Sequence, residues 1–301
     1  MKISTEISGL KMRNPTMLAS GILGETGESF LNVARNGAGA LTTKSIGIKP
    51  KKGNKNPTVL ETGYGLINAV GLANPGIDEY ENEIKIGLRS KIPLIGSVFG
   101  KNKKEFVEVA KKMERFGVSA VELNLSCPHA RGYGAEIGEE KKLVYDIVRN
   151  VKKTVDIPVF VKISAHTNIV SLAKNIEKAK ADTIVAINSL KGMKIDLDLG
   201  IPVLSNKIGG YSGPGIKPVG VRTVYEIASN VKIPVIGCGG VMNGEDAVEY
   251  MMAGASAVQI GSGVYYMGVD VFRKICKEIK TWMKKNDYKR IDEIVGVALR
   301  G

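Results

Sequence analysis

Cysteine and histidine are scarce in this chain of 301 residues, with three of the first and two of the second. Cys127, Cys238 and Cys276 are far apart and odd in number. That argues against a disulfide framework and for a reducing, cytoplasmic compartment. No Cys-x-x-Cys occurs, and the histidines are His129 and His166 alone, so no metal or iron–sulfur site held by this chain is expected. No apolar run approaches the roughly 20 residues that span a bilayer. The start, "MKISTEISGLKMRNP", has no signal-peptide core, so neither membrane insertion nor export is expected. Aromatic residues make up 6% and do not interleave with basic ones, which leaves nucleic-acid stacking little support. The Gly-x-Gly-x-x-Gly turn that an open dinucleotide-binding sheet places after its first strand is missing too. Without a linker, low-complexity tract or shift in composition, the chain reads as one domain over residues 1–301.

Positive charge is plentiful, with a formal net charge of +13. The lysines of "KNKKEF", "EKKLVYDIVRNVKK" and "KTWMKKNDYKR" lie among acidic residues on amphipathic patterns. They read as solvated helix faces, with attraction to an anionic partner or substrate as the other reading. A β-then-α alternation recurs throughout. "PTMLAS", "ALTTKS", "PLIGSVFG", "AVELNLS", "VFVKIS", "TIVAINS", "PVIGCGG" and "AVQIGSG" are short apolar runs ending in Gly, Ser, Lys or Asn. Segments with helical spacing, starting with "ESFLNVARNG", lie between most of them, and a last helix follows in "DVFRKICKEIKTWMKKN". Runs that are apolar throughout belong to parallel strands covered on both faces, and eight such units predict an α/β fold, a (β/α)8 TIM barrel.

In a barrel the strand C-termini converge on one site, so the residues that end each run carry the information. They are Ser20, Lys44 with Ser45, Ser97, Asn124 with Cys127, Lys162, Asn188 with Ser189, Gly239 with Gly240, and Gly261 with Ser262. Together they predict a polar, positively charged pocket. "GGYSGPG", "GCGG" and "IGSG" supply glycines that let backbone N–H groups approach phosphate oxygens. Two connections exceed plain βα loops, residues 47–75 and 128–138, and are expected over the site. "ARGYGAEIG" within the second reads as a lid over Cys127. Cys238, at a strand end, and Cys276, inside a helical pattern, read as buried inert cysteines.

From "MLASGILG" through "TTKSIGIKPKKGN", "GLINAVGLANPG", "NLSCP", "VKIS", "INS", "GGYSGPG", "GCGGV" and "IGSGVY", the chain resembles the class 1 dihydroorotate dehydrogenases. "NAVGLANPG" is most similar to the catalytic subunit of the NAD-linked 1B branch. The resemblance implies FMN as cofactor and oxidation of dihydroorotate to orotate in pyrimidine biosynthesis, with Cys127 as the base. It implies substrate contacts from Lys44, Asn68, Ala69, Val70, Gly71, Leu72, Asn124, Asn188 and Ser189. It implies FMN contacts from Ser20, Lys44, Ser45, Asn124, Lys162, Ile187 and Gly213, with the phosphate on Gly239, Gly240, Gly261 and Ser262. FAD and a [2Fe–2S] cluster would sit on a partner subunit, in a heterotetramer built on a homodimer of this chain; fumarate use without a partner is the 1A alternative.

Two positions depart from the family pattern. His129 stands where Asn usually follows "SCP", and "NLSCPH" is also similar to the uracil-reducing barrel of dihydropyrimidine dehydrogenases. Ser97 stands for the Asn on strand three, a shorter side chain that would need a water to reach FMN. tRNA-dihydrouridine synthases share an Asn-x-x-Cys-Pro turn, but no appended helical RNA-binding segment follows the eighth strand.

Overall fold

A computed structural model describes residues 1–125, 140–165 and 168–301. Eight parallel strands form the central sheet: β1 (Thr16–Leu18), β2 (Leu41–Thr42), β3 (Leu94–Val98), β4 (Ala120–Asn124), β5 (Val159–Ile163), β6 (Thr183–Ala186), β7 (Val235–Cys238) and β8 (Ala255–Ile260). Their order in the sheet is β1-β8-β7-β6-β5-β4-β3-β2, and a bridge between Met17 and Ala40 closes it. Helices α1 (Gly27–Arg35), α2 (Glu81–Leu88), α3 (Lys103–Arg115), α4 (Lys141–Lys152), α5 (Ile169–Lys178), α6 (Lys217–Ala228), α7 (Gly244–Met252) and α8 (Val271–Lys285) alternate with the strands. This is the (β/α)8 barrel that the alternating runs predict.

Helix ends and faces follow local chemistry. In α3 the side chain of Asn102 accepts from the N–H groups of Lys104 and Glu105, while Phe106, Val109, Ala110 and Met113 share the buried face. Asn243 and Asp246 form a reciprocal cap on α7.

Alternate strand residues point inward. Met17, Ile95, Ala120, Phe160, Ile236 and Ala257 fill the barrel together with Ile7 and Met12. These last two come from an N-terminal hairpin, Thr5–Ile7 paired with Leu10–Met12, which plugs the N-terminal end of the barrel. Its two-residue turn, Ser8–Gly9, has positive φ at both positions, the twist such a hairpin needs. The Ser8 hydroxyl bonds Thr183 at 2.8 Å and donates to Asp182 O at 2.9 Å, tying the plug to the start of β6.

At the opposite end, two excursions build a second sheet. Val59–Thr62 and Gly65–Asn68 leave the barrel after β2, and Leu190–Gly192 and Gly209–Ser212 leave it after β6. They pair antiparallel, with Gly210 opposite Asn68 and Gly192 opposite Gly209. The first excursion is the expected 47–75 connection. The second, comparably long, was not expected. Cys127, His129, His166 and the 128–138 connection, with the segment expected to act as a lid, lie outside the described residues.

Candidate active site

A cavity of about 400 Å3 opens at the C-terminal ends of the barrel strands. Every residue expected to hold FMN lines it: Ser20, Lys44, Ser45, Asn124, Lys162, Ile187, Gly213, Gly239, Gly240, Gly261 and Ser262. So do Asn68, Val70, Gly71, Leu72, Asn188 and Ser189 of the expected substrate set. Ala69 does not. It is fully buried, and its N–H donates to Thr58 O at 2.7 Å, so that N–H is committed to the backbone rather than to the expected substrate contact.

The lining carries two lysines and, among the described residues, no acidic side chain. Lys44 follows β2, and its ammonium pairs with Glu25 at 3.2 Å near the rim. Lys162 is far more enclosed, at 4% exposure. Its Nζ donates to Gln259 Oε1 at 2.7 Å and stands 4.0 Å from Glu122 Oε1. Burial pulls the Lys162 ammonium down, but the Cys238 sulfur and the Glu122 carboxylate beside it outweigh burial and hold it above its ordinary value.

Between the lysines runs a chain of small polar groups. Asn124 Nδ2 donates to Ser45 Oγ at 3.0 Å, Ser45 Oγ lies 2.8 Å from Ser97 Oγ and 3.3 Å from Ser20 Oγ, and Asn188 Nδ2 reaches Asn124 Oδ1 at 3.4 Å. Ser97 is fully buried and does not line the cavity; it acts on the site through Ser45.

The excursion sheet supplies a wall with Val59, Leu66, Asn68 and Ser212, and Asn68 Nδ2 is fixed on Gly210 O at 3.3 Å. Glycine loops supply another. Gly239 and Gly240 have φ of 122° and 71°, and a Cβ on Gly240 would stand 2.8 Å from Gly213 O. Only bare backbone fits there. The Tyr250 hydroxyl, behind these loops, donates to Gly239 O at 2.7 Å.

Sequence reasoning passed over Gly21, Ile22, Val59, Leu66, Ser212, Ile216, Cys238 and Tyr265, all of which line the cavity. Those on the excursions carry no local signal. Cys238 did carry one, being the inward-facing end of β7. It is buried as expected, yet it faces the cavity rather than the general core, and burial pushes its thiol up by more than Lys162 lowers it. Cys276, expected to be buried, is only half-buried; it packs on Thr16, 3.9 Å away, and does not line the cavity.

The sequence model of the family described as dihydroorotate dehydrogenase matches residues 2–283. The chain belongs to the dihydroorotate dehydrogenase family. A relative from Methanocaldococcus jannaschii, named "Dihydroorotate dehydrogenase B (NAD(+)), catalytic subunit", is 52% identical, with 98% of each chain covered. Proteins of the same name from Thermoplasma acidophilum and Pyrococcus furiosus are 50% and 48% identical, with 99% of each chain covered. These matches favour neither the uracil-reducing nor the tRNA-modifying barrels that share some of the dehydrogenase motifs.

Proposed function

We propose that this chain oxidises dihydroorotate to orotate in pyrimidine biosynthesis, with FMN held in the cavity. The observation that carries this reading is the lining itself: Lys44 and Lys162, the amides of Asn68, Asn124 and Asn188, and no carboxylate among the described residues. An anionic ring bearing amide and carbonyl groups is what such a set recognises.

The residues present fit FMN. Leu66, Ile187, Ile216 and Tyr265 offer apolar contact to a flat ring. Gly213, Gly239 and Gly240, packed too closely for side chains, offer backbone to phosphate oxygens. When bound, FMN supplies the acceptor for the hydride from substrate C6. The chain's own residues do the rest. Lys44, with Asn68 and the backbone of Val70, Gly71 and Leu72, binds the carboxylate. Asn124, Asn188 and Ser189 hold the ring amide and carbonyl groups. Cys127, three positions after the end of β4, takes the C5 proton. A thiol has an ordinary pKa of about 8.5, and the cationic lining favours its thiolate. Lys162 supplies positive charge where reduction of the cofactor builds negative charge.

The relatives are named as a catalytic subunit. We read this chain as the same part of a cytoplasmic assembly, a homodimer flanked by two subunits whose FAD and [2Fe–2S] cluster carry electrons to NAD. No helix among the described residues is long and apolar enough to cross a membrane. The test is anaerobic: FMN-loaded protein is mixed separately with dihydroorotate and with dihydrouracil, and flavin bleaching is followed. Bleaching by dihydroorotate alone is expected. Bleaching by dihydrouracil would move the substrate to the uncharged pyrimidines and overturn the role of Lys44.

A further inference from the structure

Glu122 is the least expected residue in the barrel. It sits in the middle of β4, is fully buried, and projects into the interior between Ala120 below and Asn124 above. A carboxylate removed from water is costly unless its charge and its lone pairs are met. One oxygen is met: Gln259 Nε2, from β8, donates to Glu122 Oε2 at 2.6 Å. The other, Oε1, is buried with no hydrogen-bond partner among the described residues, and the ammonium of Lys162 stands 4.0 Å from it.

Gln259 is what makes this arrangement directional. Its amide has one donating and one accepting end. Glu122 can only accept and Lys162 can only donate, so Gln259 must turn Nε2 to the acid and Oε1 to the lysine, as it does. Thr42 Oγ1, at 3.5 Å from the same Nε2, sits on the remaining side. The three charged or amide groups come from β4, β8 and β5, and only Lys162 of the three lines the cavity.

We propose that Glu122, acting through Gln259, is a positioning residue that fixes the place and the charge of Lys162 under the cofactor site. Glu122 touches neither cofactor nor substrate. It supplies the counter-charge that lets an ammonium exist inside the barrel, and Gln259 fixes the position of that ammonium. This inference rests on the cavity being the flavin site.

The test uses FMN-loaded protein of the full chain. The reduced-to-oxidised ratio of the bound flavin is measured against a reference dye from pH 6 to 9, in the parent and in E122Q. In the parent, Lys162 stays charged throughout and adds no pH dependence of its own. The Cys238 sulfur also faces Lys162, but burial holds its thiol above its ordinary value, so it supplies no counter-charge in this range. In E122Q the ammonium is therefore left without a carboxylate and is expected to lose its proton, and reduction must then take a proton up. The ratio is therefore expected to fall by an additional factor of ~10 per pH unit above the new ionisation. Adding K162Q to E122Q should abolish that extra dependence. Parallel profiles for parent and E122Q would overturn the proposal while leaving the flavin reading intact. A parent that holds no FMN would overturn both. If E122Q alone fails to fold, recovery of folding in the E122Q/K162Q pair supports the coupling, because deleting both charges leaves neither uncompensated. Failure of the pair to fold would assign Glu122 a role independent of Lys162 and sink the proposal.

Discussion

The two halves of the barrel interior are made by the same strands and have opposite chemistry. Towards the N-terminal end the inward positions are Met17, Ile95, Ala120, Phe160, Ile236 and Ala257, sealed by Ile7 and Met12 of the hairpin. Two residues further along the same strands they become Ser97, Glu122, Lys162, Cys238 and Gln259. The strand period of two puts both sets inside, so the backbone does not distinguish them. What differs is the condition each must meet. The lower half needs only volume filled without voids. The upper half must meet its polar atoms as well, and it does so mainly by passing hydrogen bonds from strand to strand: β5 to β8 to β4 through Lys162, Gln259 and Glu122, and β4 across to β3 through Asn124, Ser45 and Ser97. Glu122 Oε1, without a hydrogen bond among the described residues, has the Lys162 ammonium 4.0 Å away. Stability is concentrated in one half and chemistry in the other.

Substitutions that separate the halves test that division. The largest effect is expected at Cys127→Ala. Loss of a positioned general base costs about 100- to 10 000-fold. Anaerobic stopped-flow mixing with dihydroorotate should show flavin reduction slowed by that factor, with FMN still bound. Reduction at the parent rate would remove Cys127 from the mechanism. In the lower half, Phe160 is fully buried and lies two residues before Lys162 on β5. Phe160→Ala should cost about 3–5 kcal/mol of stability in urea unfolding, through lost burial and the cavity left behind. Under conditions where the variant is folded, FMN affinity should stay near that of the parent. A large loss of affinity in the folded variant would mean that the two layers are not separable.

This division also explains what could be read in the sequence. All eight strands were legible because a strand buried on both faces is a largely apolar run, as "TIVA" is. The rim residues were legible because strand ends converge. The hairpin plug was not, since Thr5–Ile7 and Leu10–Met12 are three residues each and half exposed. Nor was the excursion sheet, whose partners Asn68 and Gly210 are 142 positions apart and are joined by backbone, without a local pattern. Glu122 and Gln259 did leave a signal. A charged residue in the middle of "AVELN" and an amide in "AVQI" interrupt runs that should be apolar throughout. Each lies two residues from an inward-facing alanine, Ala120 or Ala257, so the strand period turns it inward too, where it must meet a partner. Lys162, in the run between them, was the partner to look for.

The smallest effect sharpens the comparison at the boundary between packing and chemistry. Tyr250, on α7, belongs to both: its fully buried ring fills the space beside Gly237, where a Cβ would come within 2.4 Å of it, while its hydroxyl donates to Gly239 O at 2.7 Å. Burial pushes that hydroxyl well above its ordinary pKa, so it remains a donor across the working pH range. Tyr250→Phe keeps the ring and removes only the donor. The loss of one such bond is worth about 1 kcal/mol, or roughly fivefold in an equilibrium constant. If the hydroxyl holds the Gly239–Gly240 turn in shape for phosphate, FMN affinity measured by fluorescence titration should weaken by about that factor, while the KM for dihydroorotate stays unchanged. A loss of stability with unchanged FMN affinity would place the hydroxyl with the packing half. Because the substitution adds no atoms and leaves the ring in place, the two outcomes cannot be confused with a misfolded loop.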